Sequence, residues 1–183
     1  MKIPGGFACG VFAVAVLWAC ATEPPPLVTD PGVSLAGRTN LVVATASNET
    51  GKTFDYDFTD TFTDDLKSSL REKGYTITGA KAAPPDALLI QCSFLSYSPG
   101  NAAARVVGAG TTEARVKTTV IDKKTGEVVG DLLTTKQVGG GFPLLCPICA
   151  AAVVTTTVGE YETILKGVAD DVATAIDRSI KGD

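Results

Sequence analysis

Two helical stripes and a set of short alternating runs organise this chain. Phe58, Phe62, Leu66 and Leu70 recur every four residues, with Asp60, Asp64, Lys67 and Glu72 between them. This spacing gives one apolar face and one charged face, and predicts an amphipathic helix. Acidic residues crowd its first turns, Arg71 and Lys73 its last, and Gly74 stands where a left-handed cap is wanted, the order that a helix dipole and a glycine C-cap favour. A longer stripe follows near the other end. Tyr161, Ile164, Leu165, Val168, Val172, Ile176 and Ile180 share one helical face, with Glu162, Asp170, Asp171, Asp177 and Arg178 largely opposite.

Elsewhere the period shortens to two, or the apolar positions run together. Leu41, Val42 and Val43, within Asn40 to Thr45, read as a strand covered on both faces. Tyr75 to Thr78 makes a brief strand after the first helix. Beyond the Pro84-Pro85 break, Leu88, Ile90, Cys92 and Phe94 lie on one face, with Gln91 and Ser93 on the other. Ala114, Val116, Thr118 and Val120 likewise face in, while Glu113, Arg115, Lys117 and Thr119 face out. Asp122-Lys123-Lys124-Thr125-Gly126 supplies turn residues before Val128 to Thr135, which predicts an antiparallel hairpin. The fold class that follows is α+β: a mixed, largely antiparallel sheet of about five strands packed by two amphipathic helices, in a single domain over 38–183.

The N-terminal segment has a different pattern. Lys2 precedes an apolar stretch from Phe7 to Leu17, and small residues surround Cys20 in Leu17-Trp18-Ala19-Cys20. About a dozen apolar residues are too few to cross a hydrocarbon core that needs about 20. The segment 1–19 reads as an export signal. It resembles a bacterial lipoprotein signal, with Trp18 where a smaller residue is usual; the resemblance implies that Cys20 is acylated and becomes the first residue of the mature chain. Ala19-Cys20-Ala21 also has the small-x-small form of an ordinary signal-peptidase site, which would leave a lipid-free chain starting at Thr22. A third reading treats the stretch as a membrane-associated or mis-annotated N-terminus. Residues 20–37 carry Pro24, Pro25, Pro26 and Pro31, and read as a lipidated cysteine and a semi-rigid tether without a core of its own. By resemblance to the sorting rule of Gram-negative lipoproteins, Ala21 in place of aspartate implies transfer to the outer membrane, with the domain facing the periplasm.

Charge adds an exclusion. The net formal charge is −4, and removal of Lys2 with the signal makes the remainder more negative by one. A mildly acidic body offers no electrostatic footprint for nucleic acid. The chain contains no histidine, which removes Ser-His-Asp and Cys-His catalysis and the zinc sites that mix cysteine with imidazole.

The stretch Ser96-Tyr97-Ser98-Pro99-Gly100, then Arg105, Val107-Gly108-Ala109-Gly110, Val120-Ile121-Asp122-Lys123-Lys124-Thr125-Gly126-Glu127-Val128, the run Gly139-Gly140-Gly141 and the final amphipathic helix together resemble a family of bacterial envelope lipoproteins, domain of unknown function forty-four-ten. A more distant likeness is to lipoproteins of the curli-secretion-channel type. The resemblance covers nearly the whole mature domain and implies an envelope protein. No catalytic residues come with it.

Five further features bear on chemistry. Ala46-Ser47-Asn48-Glu49-Thr50-Gly51-Lys52-Thr53 fits a loose phosphate-loop pattern, but Phe54, Tyr56 and Phe58 alternate as though extended, and Asp55, Asp57 and Asp60 would repel phosphate; no nucleotide is expected. Asp64-Asp65 and Asp170-Asp171 are consecutive on helices, where neighbours point apart, and read as solvating surface. Cys146 and Cys149 form a C-x-x-C pair in a glycine- and alanine-rich context, so a local disulfide or two unpaired thiols is expected, with a thiol-disulfide enzyme as the alternative. Cys92 reads as a small core residue. The segment 137–159 carries no charge and contains glycines and prolines that break regular structure. It reads as a loop or hairpin against the core; in the alternative, Gly139–Val154 meets a membrane, an envelope partner or another copy of the chain, as in an oligomeric secretion-channel-like subunit. The expected role is therefore that of a lipid-anchored, non-catalytic binding or assembly component, without metal or cofactor.

Overall fold

The computed structural model describes residues 24–29, 32–98, 112–138 and 160–182. In chain order the elements are β1 (Val28–Thr29), β2 (Asn40–Val43), β3 (Ser47–Asn48), α1 (Phe58–Glu72), β4 (Thr76–Ile77), β5 (Leu88–Ser98), β6 (Thr112–Asp122), β7 (Val128–Val138) and α2 (Glu160–Lys181). The strands form one mixed sheet in the order β1-β7-β6-β5-β2-β4, with β3 pairing β5 beyond the end of β2. Three antiparallel strands of 11 residues each, β5 to β7, are its bulk. The α+β class and the two helices are as the periodicities require. The sheet has seven strands where about five were expected, because β1 and β3 are two residues long, too short to leave any period in the sequence.

Alternation decides which face of the sheet is covered. Leu88, Ile90, Cys92 and Phe94 of β5, Ala114, Val116 and Val120 of β6, and Leu132 of β7 are buried in one cluster with Phe62, Leu66 and Leu70 of α1 and Ile164, Leu165, Val168, Val172 and Ile176 of α2. Both helices therefore lie on this face. Their apolar stripes meet each other as well as the sheet, and Ser69 of α1 donates to Asp170 of α2 while Tyr75 Oη donates to Asp177 Oδ1 at 2.8 Å. These pairs ascend together in sequence, so α1 and α2 run parallel. In β2 both Leu41 and Val42 are buried, so this strand is covered on both faces, as its continuous apolar run predicts.

The ends of α1 are closed by local chemistry. The Asp57 carboxylate accepts from Thr59 N and Asp60 N at 3.2 and 3.0 Å, satisfying amides that the first turn leaves unpaired. At the other end Gly74 adopts φ 96°, and Tyr75 N reaches back to Leu70 O at 3.1 Å, a six-residue closure that needs the left-handed glycine. The β6–β7 turn is closed by Asp122: its backbone pairs with Gly126 N and Glu127 O, and its side chain accepts from Lys124 N at 2.8 Å and from Arg38 Nη2 at 2.7 Å.

Residues 20–37 are expected to form a semi-rigid tether without a core of its own; among its described residues Leu27 and Leu35 are buried in the core of the domain, and Val28–Thr29 pair antiparallel with Asp131 and Gly130 of β7. Beyond Leu27 the ladder has no means to continue, since Pro24, Pro25 and Pro26 have no N–H to give to it. The same prolines keep the chain extended as it leaves the sheet edge.

Candidate functional site

The loop after β3, the start of α1 and the end of β5 converge at one end of the sheet. β3 runs parallel to β5, with Asn48 opposite Phe94, so the chain beyond Asn48 heads toward Tyr97 and Ser98. There Phe54, Tyr56, Phe58, Phe62, Phe94 and Tyr97 gather in one aromatic cluster. Phe58 stacks on Tyr97 with centroids 4.7 Å apart and planes at 11°, Phe54 meets Phe58 edge-on at 4.9 Å, and Phe94 meets Phe58 and Phe62 edge-on at 4.8 and 5.0 Å. The hydroxyls of Tyr56 and Tyr97 share a hydrogen bond of 2.6 Å. Offset and edge-on arrangements of this kind suit the quadrupoles of the rings. The alternation of Phe54, Tyr56 and Phe58 thus comes from a loop that folds its rings onto Tyr97; it is not a strand.

An open cleft of about 380 Å³ lies over this cluster, lined by Asn48 and by Lys52 to Thr59. Asn48, Lys52 and Thr53 of the phosphate-loop-like stretch line it, and several amides of that stretch are committed within the fold. Thr50 N and Thr50 Oγ1 donate to Asn48 Oδ1 at 3.1 and 2.7 Å, Lys52 N donates to Thr50 Oγ1 at 3.1 Å, and Glu49 N donates to Phe94 O at 2.9 Å. The loop closes on itself. The first amides of α1 face Asp57, whose pKa is lowered chiefly by the Thr59 hydroxyl and then by the Asp60 amide. A carboxylate held ionised in this position occupies the place an incoming phosphate would need.

The acidic pairs separate, as consecutive helix positions must: Asp64 stays in solvent as expected, while Asp65, Asp170 and Asp171 are half-buried. Asp64 pairs with Lys67 at 3.0 Å, and Asp170 accepts from Ser69 with Lys166 at 3.7 Å. Asp171 pairs with Lys136 of β7 at 2.8 Å. Asp65 faces α2, and burial raises its pKa. Lys136 was not singled out by its sequence context: its ammonium also donates to Gly167 O at 3.0 Å, fastening the last turn of β7 to α2. A Cβ on Gly167 would stand 2.9 Å from Lys136 Cε and Nζ, so a side chain there would oblige the lysine to shift.

Cys92 is fully sequestered, with Thr118 Oγ1 at 3.4 Å from its sulfur, and burial pushes its thiol up to about 12. It is the core residue expected. Cys20, Cys146 and Cys149, together with Gly139–Val154, lie outside the described residues. Among the described residues no three carboxylate or thiol groups come together as a metal site, and no helix is long and apolar enough to cross a membrane.

This arrangement, a half-covered sheet with two parallel helices on one face and a closed polar loop at one end, has counterparts among known proteins. The family model described as Domain of unknown function (DUF4410) matches residues 35–141, and the chain belongs to that family. Among solved structures, the PelC dodecamer from Paraburkholderia phytofirmans is similar in fold. One structure gives a TM-score of 0.56 at 14% identity over 82% of this chain and 95% of that chain; a second gives 0.50 at 15% identity over 82% and 94%. The hypothetical protein CT253 from Chlamydia trachomatis gives 0.53 at 9% identity over 80% and 99%. No curated protein matches the chain in sequence.

Proposed function

We propose that this protein is a lipid-anchored component of the bacterial envelope that acts by assembling with copies of itself and has no catalytic role. The observation that carries the reading is Leu17-Trp18-Ala19-Cys20 behind a short apolar stretch, a signal and acylation site. Ala21 directs it to the outer membrane, on the sorting rule by which an aspartate there would retain it at the inner one.

Two features support assembly. The fold is similar to that of PelC, which forms a dodecamer. The face of β5 to β7 opposite the helices bears exposed Leu95, Val128 and Leu133, apolar side chains that a second copy would remove from water. The absence of catalysis is supported by the absence of histidine and by the hydrogen bonds that close the loop from Asn48 to Lys52 on itself.

Labelled palmitate tests the anchor: incorporation into the wild type and none into Cys20→Ser is expected, and an unmodified N-terminus at Thr22 would refute it. Native mass in detergent tests assembly, with a multiple of the protomer mass expected. Insulin-reduction activity lost in Cys146→Ser would overturn the non-catalytic reading.

A further inference from the structure

We infer that Leu27 is a latch that shortens the lead from the lipid to the folded domain by about half, so that the domain is held beside the bilayer and meets copies of itself side by side in that layer. This rests on the lipid anchor at Cys20 and the assembly proposed above; it adds how far from the membrane the domain works. The latch is received by β7. Gly130 stands inside a strand of 11 residues, where glycine packs nothing of its own and weakens the ladder. Its backbone lies outside the left-handed region, so no turn asks for glycine here. Room is the reason: a Cβ at this position would stand 3.1 Å from Leu27 Cγ and Cδ2 and 3.3 Å from Val28 O. Leu27 is 6% exposed and part of the core, and Val28–Thr29 pair with Asp131 and Gly130 beside it. Leu35, also buried, holds the chain a second time before β2 begins.

Contour length then sets a limit whichever way the chain leaves Leu27. From Cys20 to Leu27 is seven residues, at most about 25 Å. With Leu27 undocked, the first residue held by the core is Leu35, fifteen residues from Cys20 and at most about 54 Å away. The three long strands have 11 residues each, about 36 Å, so the docked lead is shorter than the domain is tall. A domain on so short a lead stays against the headgroups, and one copy standing upright leaves no reach for another to be stacked upon it from the same leaflet. Assembly is therefore lateral, and any other partner is one that lies in or on the same membrane surface.

The test uses the acylated mature protein in zwitterionic vesicles that carry a dansyl headgroup as energy acceptor. Trp18, the chain's single tryptophan, precedes Cys20, so Thr135→Trp, at an exposed position of β7, supplies the donor, and circular dichroism checks that each protein folds. Three changes to this parent lengthen the lead. Leu27→Asp and Gly130→Val undock it, and an insertion of about eight glycine and serine residues after Thr22 adds the length that undocking frees, without touching the fold. Each is expected to lower transfer by about twofold or more, as the reach doubles. Unchanged transfer on insertion means that the domain clings to the bilayer by its own surface. A loss on insertion but none in the folded Leu27→Asp and Gly130→Val proteins means that docking does not shorten the lead. Either result overturns the inference while leaving the anchor intact. Failure of the parent to float with the vesicles overturns the anchor itself.

Discussion

Replacing Gly167 by alanine should have opposite consequences depending on one side chain of the sheet. Gly167 sits inside α2, where alanine is favoured over glycine by about 1 kcal/mol. The added Cβ would meet Lys136 at 2.9 Å, displacing the ammonium from Gly167 O at 3.0 Å and Asp171 Oδ2 at 2.8 Å. The lysine is partly buried, with a third of its side chain exposed, so losing these bonds costs about 1–1.5 kcal/mol. The two effects nearly cancel, and Gly167→Ala alone should change stability by no more than about 0.5 kcal/mol. In a Lys136→Ala background the obstacle is gone. The same substitution should then stabilise by about 1 kcal/mol, which leaves a coupling of about 1 kcal/mol in the cycle. Urea unfolding of the four lipid-free variants, made with Cys20→Ser, measures each term. Equal effects of Gly167→Ala in both backgrounds would show that the lysine and the glycine do not interact, and would refute the account of how β7 is fastened to α2.

Other perturbations follow from the same geometry. Phe62, with no exposed surface between Phe94 and the helices, should cost about 3–5 kcal/mol on truncation to alanine, read as a lower urea midpoint at unchanged m. Asp57 contributes as an ionised cap with a folded pKa below 3.8. Its contribution is complete above the unfolded value and lost as pH falls through the lowered one, so Asp57→Ala should lower Tm at neutral pH and flatten the acid limb of the Tm profile. An unchanged acid limb would contradict the cap. The Cys92 thiol, pushed up to about 12 by burial, should resist iodoacetamide in the native protein at mildly alkaline pH and react on unfolding in urea, and peptide mapping that finds Cys92 modified in the folded chain would refute its burial.

The two helices and the three long strands were legible in the sequence because each is an extended periodic pattern with one wet and one dry face. Phe58 to Leu70 and Ile164 to Ile180 repeat at helical spacing over several turns, and Leu88, Ala114 and their partners alternate over enough residues to mark the buried side. Gly74 and Asp122 were equally legible, since a left-handed cap and a carboxylate-closed turn are made within a few residues of chain. The proposed acylation signal at Cys20 is local too, being a matter of residue size and charge along a short linear segment.

What the tertiary structure decided depends on residues far apart in the chain. Nothing local to Val28 and Thr29 marks them as a strand; they become one because the open edge of β7 offers Asp131 and Gly130. That pairing draws Val28 and Thr29 of an expected semi-rigid tether into the edge of the sheet. Lys136 looks like any exposed strand lysine until α2 brings Gly167 and Asp171 beneath it, and Tyr97 looks like an ordinary alternating residue until the loop folds Tyr56 onto its hydroxyl. Periodicity records which face of an element is dry, because burial acts on each residue separately. It does not record which element supplies the cover, because that is settled only when distant surfaces compete for contact.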